Sequence, residues 1–253
     1  MLALNVSAEI INAFFMIDRG IEGSNKVIDD SNKFAMLALT KNAEQDKEKY
    51  GKLVTAAKDV QRISEEFNVY IANVRDQLVQ ESGGLYPEDD EKHGGQPKGY
   101  KNKDVTTRLL VQKGEGEVIK QKILDTRKQL LDIVNGLKNT PGTNITDATI
   151  SELEKSITLG ISDEWEKAKP KRPSWSHFTF NQMPLAAIFP IFRKFQNDMK
   201  SSEAAVLNYL VSQVGATTFK VDNFIPISSA PKSYIIAGDE YTAEITAGAS
   251  STS

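Results

Sequence analysis

Residues 50–78 read YGKLVTAAKDVQRISEEFNVYIANVRDQL, and the spacing of their apolar side chains decides the fold class. Tyr50, Leu53, Val54, Ala57, Val60, Ile63, Phe67, Tyr70, Ile71, Val74 and Leu78 recur every three or four residues, so they line one face of an α-helix. The positions between them are Lys, Asp, Glu, Gln and Arg, a face made for water. Ser82-Gly83-Gly84 stops the pattern. Upstream, the stripe extends to Phe34, Leu37 and Ala38, after a weak point at Gly20 and Gly23. One long helix from about Phe34 to Leu78 is therefore expected, in a chain that is mainly α and built as a bundle of long helices.

Downstream the same grammar continues to about Gly215. Residues 83–103 (GGLYPEDDEKHGGQPKGYKNK) form an exposed loop, longer than most connections in compact domains. A short helix follows over 104–112, with Asp104 as its expected N-cap. Gly114 and Gly116 interrupt it. Residues 117–137 carry a second stripe of Val118, Ile119, Ile123, Leu130, Leu131 and Val134, ended by Gly136 and the turn Asn139-Thr-Pro-Gly142. A shorter helix or irregular stretch covers 149–159, and a proline-broken segment covers 170–184. The last helix spans about 184–214, with Leu185, Ile188, Phe189, Phe192, Phe195, Met199, Val206 and Leu210 inward. Pro184 suits its first turn, and Pro190 is expected to kink or delay it. Beyond Gly215, FIPISSAP and SYIIAGDEYTAEITAGAS carry strand signals, with turns at Ala230-Pro231 and Gly238-Asp239. Two strands cannot bury a core, so this tail reads as the start of an incomplete β-sandwich.

At the other end, residues 1–17 (MLALNVSAEIINAFFMI) are almost wholly apolar, with a single charge at Glu9. They lack the basic flank and small-residue cleavage site of a secretory signal. They are also shorter than the roughly 20 apolar residues that cross a bilayer. The expectation is the outer half of a transmembrane helix leading into a water-exposed domain. The organisation is then 1–19 as that half-helix, 20–216 as a helical domain and 217–253 as the start of a β-sandwich. Asn5, Glu9 and Asn12 share one helix face within the apolar segment. Either they join helices as polar contacts in lipid, or they sit at the membrane–water boundary and touch water.

The chemistry-bearing residues are sparse. A net charge of −3 and a pI near 5.6 give no electrostatic footprint for nucleic acid, so no nucleic-acid partner is expected. The absence of cysteine excludes disulfides, thiolate metal sites and a cysteine nucleophile. His93 lies beside Asp89, Asp90 and Glu91, but among glycines, and reads as part of a solvated loop rather than a metal site. His177, close to Ser174 and Ser176, lacks the glycine pattern of a nucleophile elbow; Trp175, Phe178 and Phe180 around it read as a packing cluster. Gly114-Glu-Gly116 lacks the third glycine and the Lys-Ser/Thr of a phosphate loop. No catalytic, cofactor-binding or metal-ligating residue is assigned, and an enzyme is not expected.

Four separated segments carry a resemblance. They are MLALNVSAEIINAF (1–14), RLLVQKGEGEVIKQKI (108–123), MPLAAIFPIFRKFQNDMKSSEAAVLNYL (183–210) and FIPISSAPKSYIIAGDEYTAEITAGAS (224–250). Together, and in this order, they resemble the GldM/PorM family of gliding motility and type IX secretion. The resemblance implies a single-pass inner-membrane protein whose bulk lies in the periplasm, with a helical first domain followed by Ig-like β-sandwich domains. It implies a homodimer whose transmembrane helices sit inside a ring of a GldL/PorL-type partner and use proton-motive force to move. A periplasmic stalk would then pass the motion to outer-membrane components through further C-terminal domains. On this reading the chain begins part-way along the family's transmembrane helix and ends inside the first β-sandwich domain.

The function expected is a non-enzymatic stalk of that motor, without cofactors. A ligand-sensing periplasmic bundle like that of a chemoreceptor is the alternative, but such a receptor returns through the membrane, whereas here helices give way to strands. A hydrolase built on His177 is a third reading, without a supporting motif.

Overall fold

The computed structural model describes residues 7–44, 46–214 and the two strands 223–229 and 244–250. Three long helices dominate: α1 (Ala8–Ala43), α2 (Lys47–Glu81) and α8 (Leu185–Ser212). Between α2 and α8 lie α3 (Asp104–Thr106) with a π-helical turn (Thr107–Gln112), α4 (Glu115–Asn135), α5 (Asp147–Ser156), α6 (Glu164–Lys167) and α7 (Trp175–Phe180). Strands β1 (Asn223–Ser229) and β2 (Glu244–Ser250) pair antiparallel, Phe224 opposite Ala249 and Ser229 opposite Glu244. The mainly helical class is as expected. The turns expected at Ala230-Pro231 and Gly238-Asp239 lie outside the described residues.

The α2 stripe is the spine of the core. Leu53, Ala57, Val60, Ile63, Phe67, Ile71, Val74 and Leu78 are buried, as are Ile119, Ile123 and Leu130 of α4 and Phe189, Phe192 and Phe195 of α8. Each such side chain larger than alanine contributes about 1.5–3 kcal/mol when fully removed from water. Two stripe members fall on the wrong side: Val118 is exposed, and so is Phe178 beside the buried Trp175 and Phe180. Trp175 meets the Phe180 ring edge-on at 5.3 Å, and Phe180 meets Phe192 at 6.2 Å, so α7 packs onto α8 through two aromatics, not three.

The expected single helix from Phe34 to Leu78 is replaced by a hairpin. α1 runs unbroken through Gly20 and Gly23, ends at Ala43, and the chain reverses before Lys47. No glycine or proline marks the reversal; only the wholly polar run 44–49 does. Reversal lets both helices pack along α8, which one straight helix could not do. It also leaves Phe34 and Leu37, expected in the core, exposed at 50% and 64%. In the first turns of α1, Ile11 and Phe15 are buried, and the Phe15 ring lies 6.3 Å from Phe189 and 6.5 Å from Tyr100. Among the described residues no helix is long and apolar enough to cross a membrane.

Local chemistry differs from expectation at three further points. Asn102, not Asp104, caps α3: its Oδ1 accepts from the amides of Asp104 (2.9 Å) and Val105 (3.0 Å). α8 starts after Pro184 and continues through Pro190, at the cost of the hydrogen bond to the Ala186 carbonyl. The loop 83–103 folds back on itself, with Tyr86 N donating to Gln96 O and Lys98 N to Gly84 O. Its carbonyls at Tyr100 and Asn102 accept from Ala186 N and Leu185 N, satisfying two of the amides that a helix N-terminus leaves open.

Candidate functional site

The inward positions of α1 follow a seven-residue repeat. Ile11, Asp18, Asn25, Asn32 and Leu39 are all buried at intervals of seven, with Phe15, Glu22, Asp29, Met36 and Ala43 four residues after each. A repeat of 3.5 residues is the period of helices that pack along their length. Here the middle of that inner seam is polar. Arg193 of α8 donates from Nε to Asp18 Oδ1 at 3.1 Å and lies 3.1 Å from Glu22 Oε1; Arg75 of α2 lies 3.8 Å from Asp18 Oδ2. One layer on, Asn197 Nδ2 donates to Asn25 Oδ1 at 2.8 Å. Next, Lys200 pairs with Asp29, and Asn32 Nδ2 donates to the Lys200 carbonyl at 3.2 Å. Glu203, buried at the same level, interacts with Ser64 and Asn32.

Partners on α1 and α8 stay between 168 and 175 residues apart along the whole seam, so the two helices run parallel. Against this pair α2 runs antiparallel, as Asn68 accepting from Gln196 and Arg75 reaching Asp18 require. The seam is closed by apolar layers at both ends, Ile11 and Phe15 with Phe189 at one and Leu39 and Ala43 at the other. Burial shapes its charges. It pushes the Glu203 carboxyl above its ordinary value against the pull of Ser64 and Lys200, and draws the Arg75 guanidinium below its own despite Asp18. The Arg75 guanidinium also sits 4.4 Å from the centre of the Phe189 ring. Polar groups so placed fix which residue lies opposite which, because any slip leaves them unpaired.

The residues singled out from sequence lie elsewhere. Glu9 and Asn12 are exposed on the first turns of α1, and Asn5 lies outside the described residues. The two histidines are not brought together. His93 is stacked between Tyr86 (4.9 Å) and Tyr100 (5.8 Å), and Asp90 Oδ1 accepts from its backbone amide at 2.7 Å. His177 sits in the first turn of α7, where Ser174 Oγ accepts from its amide as the N-cap. Glu117 accepts from the Ser176 amide at 2.9 Å, and the buried His177 Nδ1 has no partner among the described residues. These groups serve capping and packing. The Gly114-Glu-Gly116 turn is structural too. Gly114 has φ +83°, and a Cβ on Gly116 would come within 2.6 Å of the Leu110 carbonyl and Ser176 Cβ, where α7 presses on α4. The polar seam itself was missed in the sequence; its signal was the Asp18, Asn25, Asn32 repeat at seven-residue spacing.

The sequence that builds this helix pair, and the strands after it, matches known family models. Residues 9–213 match the family described as GldM N-terminal domain, and residues 215–253 match the GldM second domain. The chain belongs to the GldM family. Membership makes this GldM-type chain a component of gliding motility and type IX secretion. The border between the two GldM matches falls at the end of α8, just past Val214. No curated protein matches the chain.

Proposed function

We propose that this chain is a non-enzymatic periplasmic stalk segment of the type IX secretion and gliding motor. In this reading α1 and α8 form a strut that carries displacement from the membrane side to the second domain. One observation carries it: the first and last helices of the domain run parallel. The chain therefore comes into the domain at one end and leaves it at the other, along an α1 of 36 residues, about 54 Å at 1.5 Å per residue. An antiparallel first and last helix would bring the end of α8 back beside the start of α1, and load would bypass the domain. With the parallel pair, load arriving at α1 passes to α8 through the seam Asp18–Arg193, Asn25–Asn197 and Asp29–Lys200, and α8 leads directly into residues 215–253. Close-packed interiors compress little and hand strain on.

The setting that fits is a homodimer anchored by a single N-terminal span in the bacterial inner membrane. A GldL/PorL-type ring would surround the spans, and Ig-like β domains would lead toward outer-membrane components. The test is a flexible Gly-Ser insertion between Val214 and Phe224. Such linkers behave as random coils and carry no torque. Secretion and gliding should stop while expression and membrane-partner association persist. Normal motility with a long flexible insertion would rule the transmission role out.

A further inference from the structure

The connection between α4 and α5, residues 136–146, is longer than the roughly 2–8 residues that usually join bundled helices. It is also closely built. Asn139 and Gly142 turn it with φ of +64° and +74°. The buried Thr140 hydroxyl donates to the Leu137 carbonyl at 2.6 Å, and the Thr143 hydroxyl to the Thr140 carbonyl at 2.9 Å. Thr146 and Thr149 close the segment with a capping box on α5. Its far end reaches α8. The Asn144 amide donates to Gln213 Oε1 at 2.8 Å, and the Thr149 and Tyr209 hydroxyls lie 2.8 Å apart. Leu137, Ile145, Leu210 and Val214 are buried in the common core at this end. We propose that this segment is an exit clamp: Asn144 and Thr149 hold Gln213 and Tyr209, keep the last turn of α8 wound, and so position the point from which the chain enters the second GldM domain. The proposal rests on the stalk reading and deepens it by naming positioning residues at the output end.

A helix end leaves carbonyls without intrahelical partners and frays. The last turn of α8 has no basic residue to meet the helix dipole. Load must nevertheless cross that turn, because residues 9–213 match the first domain and 215–253 the second. A turn that unwinds lengthens from about 1.5 to about 3.4 Å per residue, so four residues would release roughly 7–8 Å of slack. Displacement arriving through the Asp18–Arg193 seam would be absorbed there before it reached residue 215. Tyr209 and Gln213, four residues apart on one helix face, are held against this. Their partners lie 60 and 69 residues away in sequence and are anchored independently of α8. Lys138, just past α4, pairs with Asp147 at the start of α5. At the other end of α5, Arg127 of α4 donates to the carbonyls of Ile157 at 2.7 Å and Leu159 at 3.1 Å. Tied to α4 at both ends, α5 does not follow an unwinding α8. Both contacts are polar and lie at half-buried or exposed positions, so they fix direction rather than fill the core.

Residue-resolved hydrogen exchange in the full chain, paired with secretion and gliding, tests the clamp. In Tyr209→Phe with Gln213→Ala, the amides of residues 210–214 should exchange faster, about fivefold for each hydrogen bond lost, and secretion and gliding should fall. Gln213→Glu keeps an acceptor for the Asn144 amide and should exchange and secrete as the wild type does. Thr158→Val is the control: it removes a bond of 3.0 Å to the Asp198 carbonyl in the middle of α8, and should leave 210–214 unmoved. Where the double variant loses helicity, Gln213→Ala alone, at an exposed contact, carries the same test. Unchanged exchange at 210–214, equal acceleration in Thr158→Val, or faster exchange with undiminished secretion would overturn the clamp. A secretion defect shared by Gln213→Glu and Gln213→Ala would overturn it too. The Gly-Ser insertion after Val214 reads the stalk role separately. Normal motility there ends the stalk reading whatever the exchange shows, whereas arrested motility with unchanged exchange at 210–214 removes the clamp alone.

Discussion

Replacing Arg193 with methionine isolates what the polar seam contributes. The methionine keeps the length and apolar stem of the side chain and removes the guanidinium that bonds Asp18 at 3.1 Å and reaches Glu22 at 3.1 Å. Glu22 is 41% exposed and recovers its loss from water, but the Asp18 side chain is 8% exposed and does not. Breaking one side of a buried ion pair costs about 3–5 kcal/mol because a charge is stranded. Arg75, still 3.8 Å from Asp18, offsets part of this, so the low end, about 3 kcal/mol, is expected. For a domain of this size that is a fall of roughly 6–12 °C in Tm. Replacing both partners, Asp18→Leu with Arg193→Met, should recover part of the stability, because the stranded carboxylate is gone while Arg75 loses its contact with Asp18. The assay is urea unfolding followed by circular dichroism at constant slope. If the seam registers α1 against α8, the double variant should regain that part of the stability without regaining secretion. A single-variant cost under about 1 kcal/mol, or a double variant as unstable as the sum of its parts, would refute the reasoning.

Phe67→Ala, at a fully buried position of α2 in the core, should cost about 3–5 kcal/mol in the same melts; a loss under about 1 kcal/mol would remove Phe67 from the core. Gly116→Ala gains about 1 kcal/mol of helix propensity but drives a Cβ into the Leu110 carbonyl and α7, and a net loss of about 1–2 kcal/mol is expected by thermal denaturation. For Glu203, burial raises the folded-state pKa, so its charged form is a penalty present above that value and relieved as pH falls through it. Glu203→Gln should accordingly stabilise the domain at pH 7, with the advantage shrinking on acidification; an advantage that grows toward low pH would reverse the assignment.

The sequence was most readable where burial was apolar. Leu53 to Leu78 announced itself because each inward position is a hydrocarbon, and the facing stripes of α4 and α8 followed. α1 was misread for the opposite reason. Its inward positions 18, 25 and 32 are Asp and Asn, which a hydrophobicity pattern assigns to water, while Phe34 and Leu37 on its outer face look like core. The reversal between α1 and α2 was hidden because tertiary packing, not a breaker residue, turns the chain. The seam was beyond single-sequence reasoning in one further respect: Asp18 and Arg193 are 175 residues apart, and only the parallel placement of α1 on α8 makes them partners. Against that, the packing of Trp175 and Phe180 matched the aromatic cluster expected around His177, whereas the use of Ser174 as a cap was not foreseen.

The fixed pairing of α1 with α8 also limits how such a domain can change in size over evolution. Removing seven residues from one helix would shift every seam partner by a layer, setting Asp18 against Asn197 and Asn25 against Lys200. A tolerated change must therefore delete or insert whole heptads in α1, α2 and α8 together, altering the reach by about 10.5 Å per step at 1.5 Å per residue. Single-residue insertions belong in segments that join layers without measuring them, such as residues 83–103. Gauge is built into the seam, and relatives with a longer or shorter first domain should differ by concerted sevens.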